Sequence, residues 1–593
     1  MLPNYDCIVV GAGPSGLCAA AEMLRTGLSP ASLLVIDLNQ VPLKLTKGAA
    51  IFSRTLEQLA SFHGVREKLD HYALQFHDIS WSNNGIPFGR IPLSQNASTM
   101  HHGLMCEQWF TEQVLSEYLA ERGVSVARGV EMASYKYIGE DGESDLEVVL
   151  NTPNGIKTIV VKYLVGSDGA HSLTRKAAGI DFHGTTLQDT MYCAHFSVKK
   201  TLSFVKPSIA YALTKDGMSF ITQMPNDTYF IALDLCANNQ SIPFLSQNEK
   251  DSYGNPKLLA IPDDVATTFI HQRINPSIQV DKMIWTTHFR INQRVAEKYS
   301  DGQRVFLVGD AAHVNTPVGG QGQNLGMQEG INLGWKLSFV LQGKIKSEIL
   351  ATYQLERLPI SSHVVHMTSK VQHSISSRHP VFQLVRWRLM AFVMGRSFIR
   401  NKMAKVASET IYDYRASNVS VDYACSGKAC GVKAGDRVTG FLLPSVGESF
   451  FAQTAGFKLL LFTGVGARSL DSKDRLKSLG ETLIRQSSGI ISAFTIIDSA
   501  LDHEKCGAKE QSILLVRPDG HVGLHTHVVT ESVIRGYLRN VIGFEGFEAE
   551  LLFDDVKTKV ASKNNSNKFI GTAVAVCVGV IGYIIANSQY KTV

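Results

Sequence analysis

The chain reads as α/β: a doubly wound nucleotide-binding unit interrupted by a β-rich insertion, then a second α/β unit and a hydrophobic tail. Three observations carry this. Residues 5–37 run strand, glycine loop, alanine-rich helix, strand. Residues 304–341 run strand, acid, glycine loop, helix, and residues 569–586 hold no charge. At 593 residues the chain exceeds what one hydrophobic core supports, so several units are expected. A composition 44% hydrophobic and 19% charged is that of a globular protein and excludes wholesale disorder.

The N-terminal element comes first. An apolar strand enters Gly11-x-Gly13-x-x-Gly16, an alanine-rich helix follows, and a second strand ends on Asp37, about twenty residues beyond the last glycine. This is the Rossmann arrangement. Its glycines allow a tight turn and close packing, its helix N-terminus receives a pyrophosphate, and its acid accepts from ribose hydroxyls. Next, Arg54 opens an amphipathic helix within residues 47–62, and its charge suits a phosphate, an adenine face or plain solvent. Gln108 falls in the first turn of a second amphipathic helix, and a β-branched strand ends in GSDG, placing Asp168 in another strand-end loop.

From about residue 180 to 287 the pattern becomes alternating strand runs between polar turns. An inserted sheet facing a cofactor unit commonly walls a substrate pocket, and Tyr211, Phe220, Met224 and Tyr229 are its pocket or core candidates. The stretch RVFLVGDAAHVNTPVGGQGQNLGMQEGINLGWKL then puts Asp310 just past a strand. A loop from Pro317 to Gln323 follows, with Gly319, Gly320 and Gly322, and leads into a helix. Glycine lets backbone approach a ligand, and a helix N-terminus favours a group that becomes anionic.

Net charge is +5, too small and too local for a nucleic-acid partner. Its local source is residues 357–408, which contain lysines and arginines but no Asp or Glu. Within it, residues 381–399 are helix-like, to be packed on the nucleotide domain or turned toward a membrane. Residues 420–547 form a separate α/β unit, with Asp519-Gly520 marking a hairpin. Nine scattered cysteines without CxxC or metal spacing indicate a reducing compartment and no metal site. The uncharged 569–586 would span about 27 Å as a helix. After the polar linker 548–568 it predicts a single-pass tail anchor with the catalytic body in the cytosol.

Taken together, GAGPSG, GSDG and the GDAAH stretch, in that order, resemble the class A flavoprotein aromatic monooxygenases of the para-hydroxybenzoate and phenol hydroxylase type. The resemblance covers about residues 1–360, and residues 420–547 look like the thioredoxin-like C-terminal domain of the phenol hydroxylase branch. It implies FAD as cofactor and NAD(P)H as co-substrate, with O2 captured as a flavin C4a-hydroperoxide that attacks an electron-rich ring. It further implies that Gly11, Gly13 and Gly16 approach the FAD pyrophosphate and that Asp37 takes the adenosine ribose. Arg54 and Gln108 would contact FAD, Asp168 would shape the loop shared by FAD and NAD(P)H, and Asp310 would bind the ribityl chain. The Pro317 loop, with Gly320, Gly322 and Gln323, would lie along the isoalloxazine ring.

The chain departs from that branch at Ala49, where an acid stands before the arginine. This argues for an apolar aromatic or polyketide-like substrate over a simple phenol, and leaves the catalytic base unassigned. A Baeyer–Villiger or epoxidising relative, and a membrane-tethered flavin-binding scaffold, remain as competing readings. The expected organisation is 1–180 and 288–360 for FAD, 181–287 for substrate, 361–419 helical and basic, 420–547 thioredoxin-like, then linker and membrane tail. Partners are a small aromatic substrate, O2 and the membrane, with a homodimer left open.

Overall fold

The computed structural model describes residues 4–547 except 45, 47, 140–144, 204, 215–216, 236–244, 251–255, 318, 377–379, 424–430 and 466–469. Strand Asn4–Val10 lies between the parallel strands Leu33–Asp37 and Gly155–Gly166, and Gly155–Gly166 pairs in parallel with Val305–Leu307. Strands Asp145–Thr152 and Glu131–Ile138 extend this sheet antiparallel. Ile8, Val9, Val35 and Ile36 are buried, as expected of parallel strands covered on both faces.

Helix Pro14–Arg25 packs on the long helix Gly322–Leu341. Their closeness has a sequence cause: a Cβ on Gly330 would sit 2.4 Å from the Ser15 carbonyl, and one on Gly334 would sit 2.8 Å from that of Ala19. Glycines four apart on one face let two backbones nearly touch. The site's two glycine loops each open one of these helices, so this contact sets their spacing.

The inserted sheet has eight strands. It is wider than the expected 181–287 unit, because Asp78–Asn83 and Ile86–Pro92 join it, and its strand Val280–Ala296 runs through the expected boundary at 287. The signal for the extra pair is Asn84-Gly85, both at positive φ, a two-residue hairpin turn. One sheet face buries Tyr211, Trp81, Met224 and Phe230. The other buries Tyr192, Phe196 and Tyr229 under helix Asp263–Arg273.

The basic band forms helix Ala351–Ser376 and then two helices, Pro380–Met394 and Ser397–Ala407, where one run was expected; Gly395 and Arg396 separate them. The C-terminal unit is a mixed five-stranded sheet, with the Asp519-Gly520 hairpin joining Ser512–Val516 to Val522–Thr526. The transmembrane tail is corrected. No helix among the described residues is long and apolar enough to cross a membrane. The longest of them, Ala351–Ser376, carries Glu356, Arg357 and Lys370. Residues 569–586, where that expectation fell, lie outside the described residues.

Candidate active site

Four strand ends meet along one edge of the nucleotide sheet. Val10 pairs with Ile36 and with Gly166, and Gly166 with Leu307, so the loops that follow these strands emerge side by side. Ligands bind at such carboxyl ends in open parallel sheets. A cleft of about 490 Å³ opens there, lined by Gly11, Gly13, Asp37, Gln108, Arg128 and Asp168 among others.

The three N-terminal glycines differ in role. Gly11 has φ +103° and leaves only 2.4 Å between a hypothetical Cβ and the Ser167 carbonyl, and a Cβ on Gly16 would strike the Gly11 carbonyl at 2.3 Å. Both serve internal packing. Gly13 faces open space, with no atom within 4 Å of its missing Cβ, and it caps helix Pro14–Arg25 without any side-chain acceptor. That leaves the helix's first N–H groups for an anion.

Asp37 is fixed at the cleft: Oδ2 accepts from the Ala12 N–H at 2.9 Å and Oδ1 from the Asn39 N–H at 2.8 Å, with Arg128 at 3.5 Å. Gln108 donates through Nε2 to Glu112 at 2.8 Å. Asp168 lines the cleft, but its carboxylate accepts from Ser172 Oγ and from the Thr174 N–H, so it caps the short helix Leu173–Ala177.

Farther along the edge, Asp310 is exposed in the turn Gly309–Ala311. In the Pro317 loop, the Gly320 N–H donates to the Pro317 carbonyl at 3.0 Å, and the Gly319 N–H donates to Tyr211 Oη at 3.1 Å. Tyr211 stacks on Trp81 with centroids 4.4 Å apart. The substrate sheet is thereby tied directly to the glycine loop. Burial raises the Tyr211 phenol above its usual value, against the lowering effect of the Gly319 N–H. Both amide atoms of Gln323 are buried without a hydrogen-bond partner, as are Gln321 Oε1 and Asn315 Nδ2. Orphaned polar atoms beside a helix N-terminus call for a polar ligand.

Two of the candidate side chains lie away from the cleft. Arg54 does not line the cleft; it pairs with Glu57 at 3.2 Å and donates to the Asp519 carbonyl at 2.8 Å. Its helix turns that side chain toward the C-terminal unit, a partner 465 residues away in sequence. Tyr229 is on the face of the substrate sheet opposite to Tyr211, a core position, where it accepts from the Leu202 N–H at 3.0 Å and donates to Asp227 at 3.1 Å. Strand alternation decides this. Conversely, Asn324 was passed over. Its Oδ1 accepts from the Phe52 N–H at 2.9 Å, and its Nδ2 donates to the Ala50 carbonyl at 2.9 Å and the Gly320 carbonyl at 3.1 Å. It clamps the Ala49–Phe52 side of the site to the loop, and an Asn inside a buried helix was the available signal.

A family model described as FAD binding domain matches residues 4–368. The chain belongs to this family. It is an FAD-dependent monooxygenase with NAD(P)H as co-substrate. It is 25% identical over 528 residues to an uncharacterized aromatic compound monooxygenase of Bacillus subtilis, covering 88% of this chain and 94% of that one. It is 27% identical to pentachlorophenol 4-monooxygenase of Sphingobium chlorophenolicum, covering 73% and 74%. Aklavinone-11 hydroxylase, solved with FAD and aklavinone, shares the fold at TM-score 0.69 and 21% identity over 91% of this chain and 99% of that one. The residues present fit FAD: the open Gly13 turn and the Asp37 acceptor suit its nucleotide half, and the orphaned amide of Gln323 suits its ring edge.

Proposed function

We propose that this enzyme hydroxylates a large, flat, apolar aromatic substrate of polyketide type. The observation that carries the reading is the wall that Tyr211 makes. Its ring stacks on Trp81 and nears Phe220 at 5.5 Å, while its hydroxyl reaches the glycine loop. Ala49 and Ala50 pack into the same apolar cluster, so the position that resembles the phenol hydroxylase acid carries a methyl group. Such a wall supports binding of fused rings through area and stacking. The names of the relatives, which include anhydrotetracycline and rifampicin monooxygenases, support the same substrate class.

In this reading FAD, when bound, accepts hydride from NAD(P)H and activates O2. The chain's own residues hold and orient. Gly13 and the N-terminus of helix Pro14–Arg25 take the pyrophosphate, Asp37 the ribose, and Asp310 the ribityl hydroxyls. The N–H groups opening helix Gly322–Leu341 and the Gln323 amide face the ring edge, where negative charge collects on reduction. The C-terminal unit is read as thioredoxin-like in architecture, without the redox cysteine pair.

The test is a panel of polycyclic and monocyclic phenols, scored by stimulated NAD(P)H oxidation and by product mass and NMR. Polycyclic compounds should stimulate oxidation and gain one ring hydroxyl. Turnover of simple phenols alone would overturn the substrate class, and lactone products would favour Baeyer–Villiger chemistry.

A further inference from the structure

We propose that the helical hairpin Pro380–Met394 and Ser397–Ala407 docks on an anionic lipid surface, lying along it and not crossing it. On the first helix Val385, Arg388 and Phe392 recur at i, i+3 and i+7 and so share a face. Val385 is 52% exposed and Phe392 62%, and Arg388 is exposed between them. Phe398, at 66%, carries the surface onto the second helix, with Asn401 and Lys405 on its side.

The opposite face is already used. Met390, Met394 and Met403 pack in the cluster that contains Trp81 and Tyr211, and Met394 Sδ lies against Gly89. The outward phenylalanines are therefore not part of an incomplete core. They stand on the outside of the wall that encloses the proposed substrate pocket.

Charge selects the occupant. Residues 357–408 contain no Asp or Glu, so this surface has no carboxylate of its own sequence neighbourhood to neutralise Arg388 and Arg396. Arg396 lies over the Phe392 ring, Cζ 4.7 Å from its centroid. Bulky apolar side chains set singly among arginines match a headgroup layer, where rings enter the acyl boundary and guanidinium groups bind phosphates. A protein interface would gather its apolar residues into one contiguous core. With 15 and 11 residues, the helices reach about 22 and 16 Å, short of the roughly 30 Å hydrocarbon layer.

The experiment sediments the full-length, FAD-loaded protein with vesicles of phosphatidylcholine alone or mixed with phosphatidylserine. Binding should be at least tenfold tighter to the mixture and should weaken with salt. Arg388→Glu with Arg396→Glu should abolish the preference, and Phe392→Ser with Phe398→Ser should cut binding to the mixture at least tenfold. Retained flavin absorbance shows that each variant is folded. Equal binding to both vesicles, unchanged in both variants, would assign any attachment to the uncharged residues 569–586 and overturn the proposal. Absence of binding would overturn it too. So would a salt-insensitive dimer in light scattering that the phenylalanine variant dissolves, which would assign the face to a second copy.

Discussion

Glu329 accepts a hydrogen bond from the Gly309 N–H at 2.9 Å, reaching back from the long helix to the turn that presents Asp310. Its other oxygen meets His313 Nε2 at 2.9 Å and Ser361 Oγ at 2.6 Å. Burial pushes this carboxyl up, but His313, Arg357 and Ser361 outweigh it and hold it below the ordinary carboxylate value. The acid is thus a buried bracket between helix and turn. Glu329→Ala strands several buried donors at about 1–3 kcal/mol each. We expect a Tm lower by several degrees and faster FAD loss on dilution, with Glu329→Gln intermediate; differential scanning and flavin fluorescence measure both.

Tyr211 joins substrate sheet to glycine loop through one hydrogen bond. Tyr211→Phe keeps the stack on Trp81 and removes that bond, worth about 1 kcal/mol, or roughly fivefold in a population. The expected outcome is normal FAD content with a several-fold lower yield of hydroxylated product per NAD(P)H consumed, because the ring and substrate are less well registered. Product and peroxide measured together in one assay check this.

Glu356 is the centre of a buried ionic weld. It accepts from Arg517 at 2.6 and 2.8 Å, from Lys336 at 2.8 Å and from Asn332 at 2.7 Å, and Arg517 also holds Asp519. Lys336 and Asn332 belong to the long helix and Arg517 to the C-terminal unit, so this network fixes that unit to the helix that opens at the flavin loop. Glu356→Ala leaves buried Lys336 without its carboxylate and Arg517 with Asp519 alone, at a cost of about 3–5 kcal/mol. Chemical denaturation should show the loss, and limited proteolysis should release the C-terminal unit earlier than in the parent.

Glu409 gives a pH dependence. It is 1% exposed, has φ +58°, and shares a hydrogen bond with Gln328; its carboxyl is pushed up to about 8, first by burial and also by Glu329, against Arg357, Gln328 and Arg54. A raised acid binds its proton more tightly folded than unfolded. Its stabilising effect is therefore complete below the unfolded value near 4.5 and is lost as pH rises through about 8. Glu409→Gln removes this loss. The variant should resist alkaline destabilisation between pH 6 and 9 better than the parent, by on the order of 2 kcal/mol. Parallel denaturation curves at those two pH values decide it.

Much of the cofactor side was legible because it is local. Turn, cap and strand-end acid lie within short windows, so Gly11, Gly13 and Asp37 could be placed by spacing, and the GDAAH stretch located the second loop. The bracket by Glu329 and the clamp by Asn324 lay inside that stretch, yet their targets at Gly309, Phe52 and Ala50 became visible only once the chain was folded. Arg54 shows what a short window cannot contain. Its basic side chain at a helix start pairs with Glu57 one turn on and donates to the Asp519 carbonyl, a partner 465 residues away.

The sequence by itself determined the order of elements, the nucleotide-binding turn, the hairpin at Asp519-Gly520 and the absence of acids from 357 to 408, since each rests on local backbone preference or on composition. Only the tertiary structure decided which face of the substrate sheet Tyr211 and Tyr229 occupy, that Asp78–Pro92 belongs to that sheet, and that Arg517 and Glu356 join the C-terminal unit to the flavin helix. Those outcomes depend on strand register and on pairing across hundreds of residues. Such pairings are chosen by the burial free energy of the whole chain, which no short window contains.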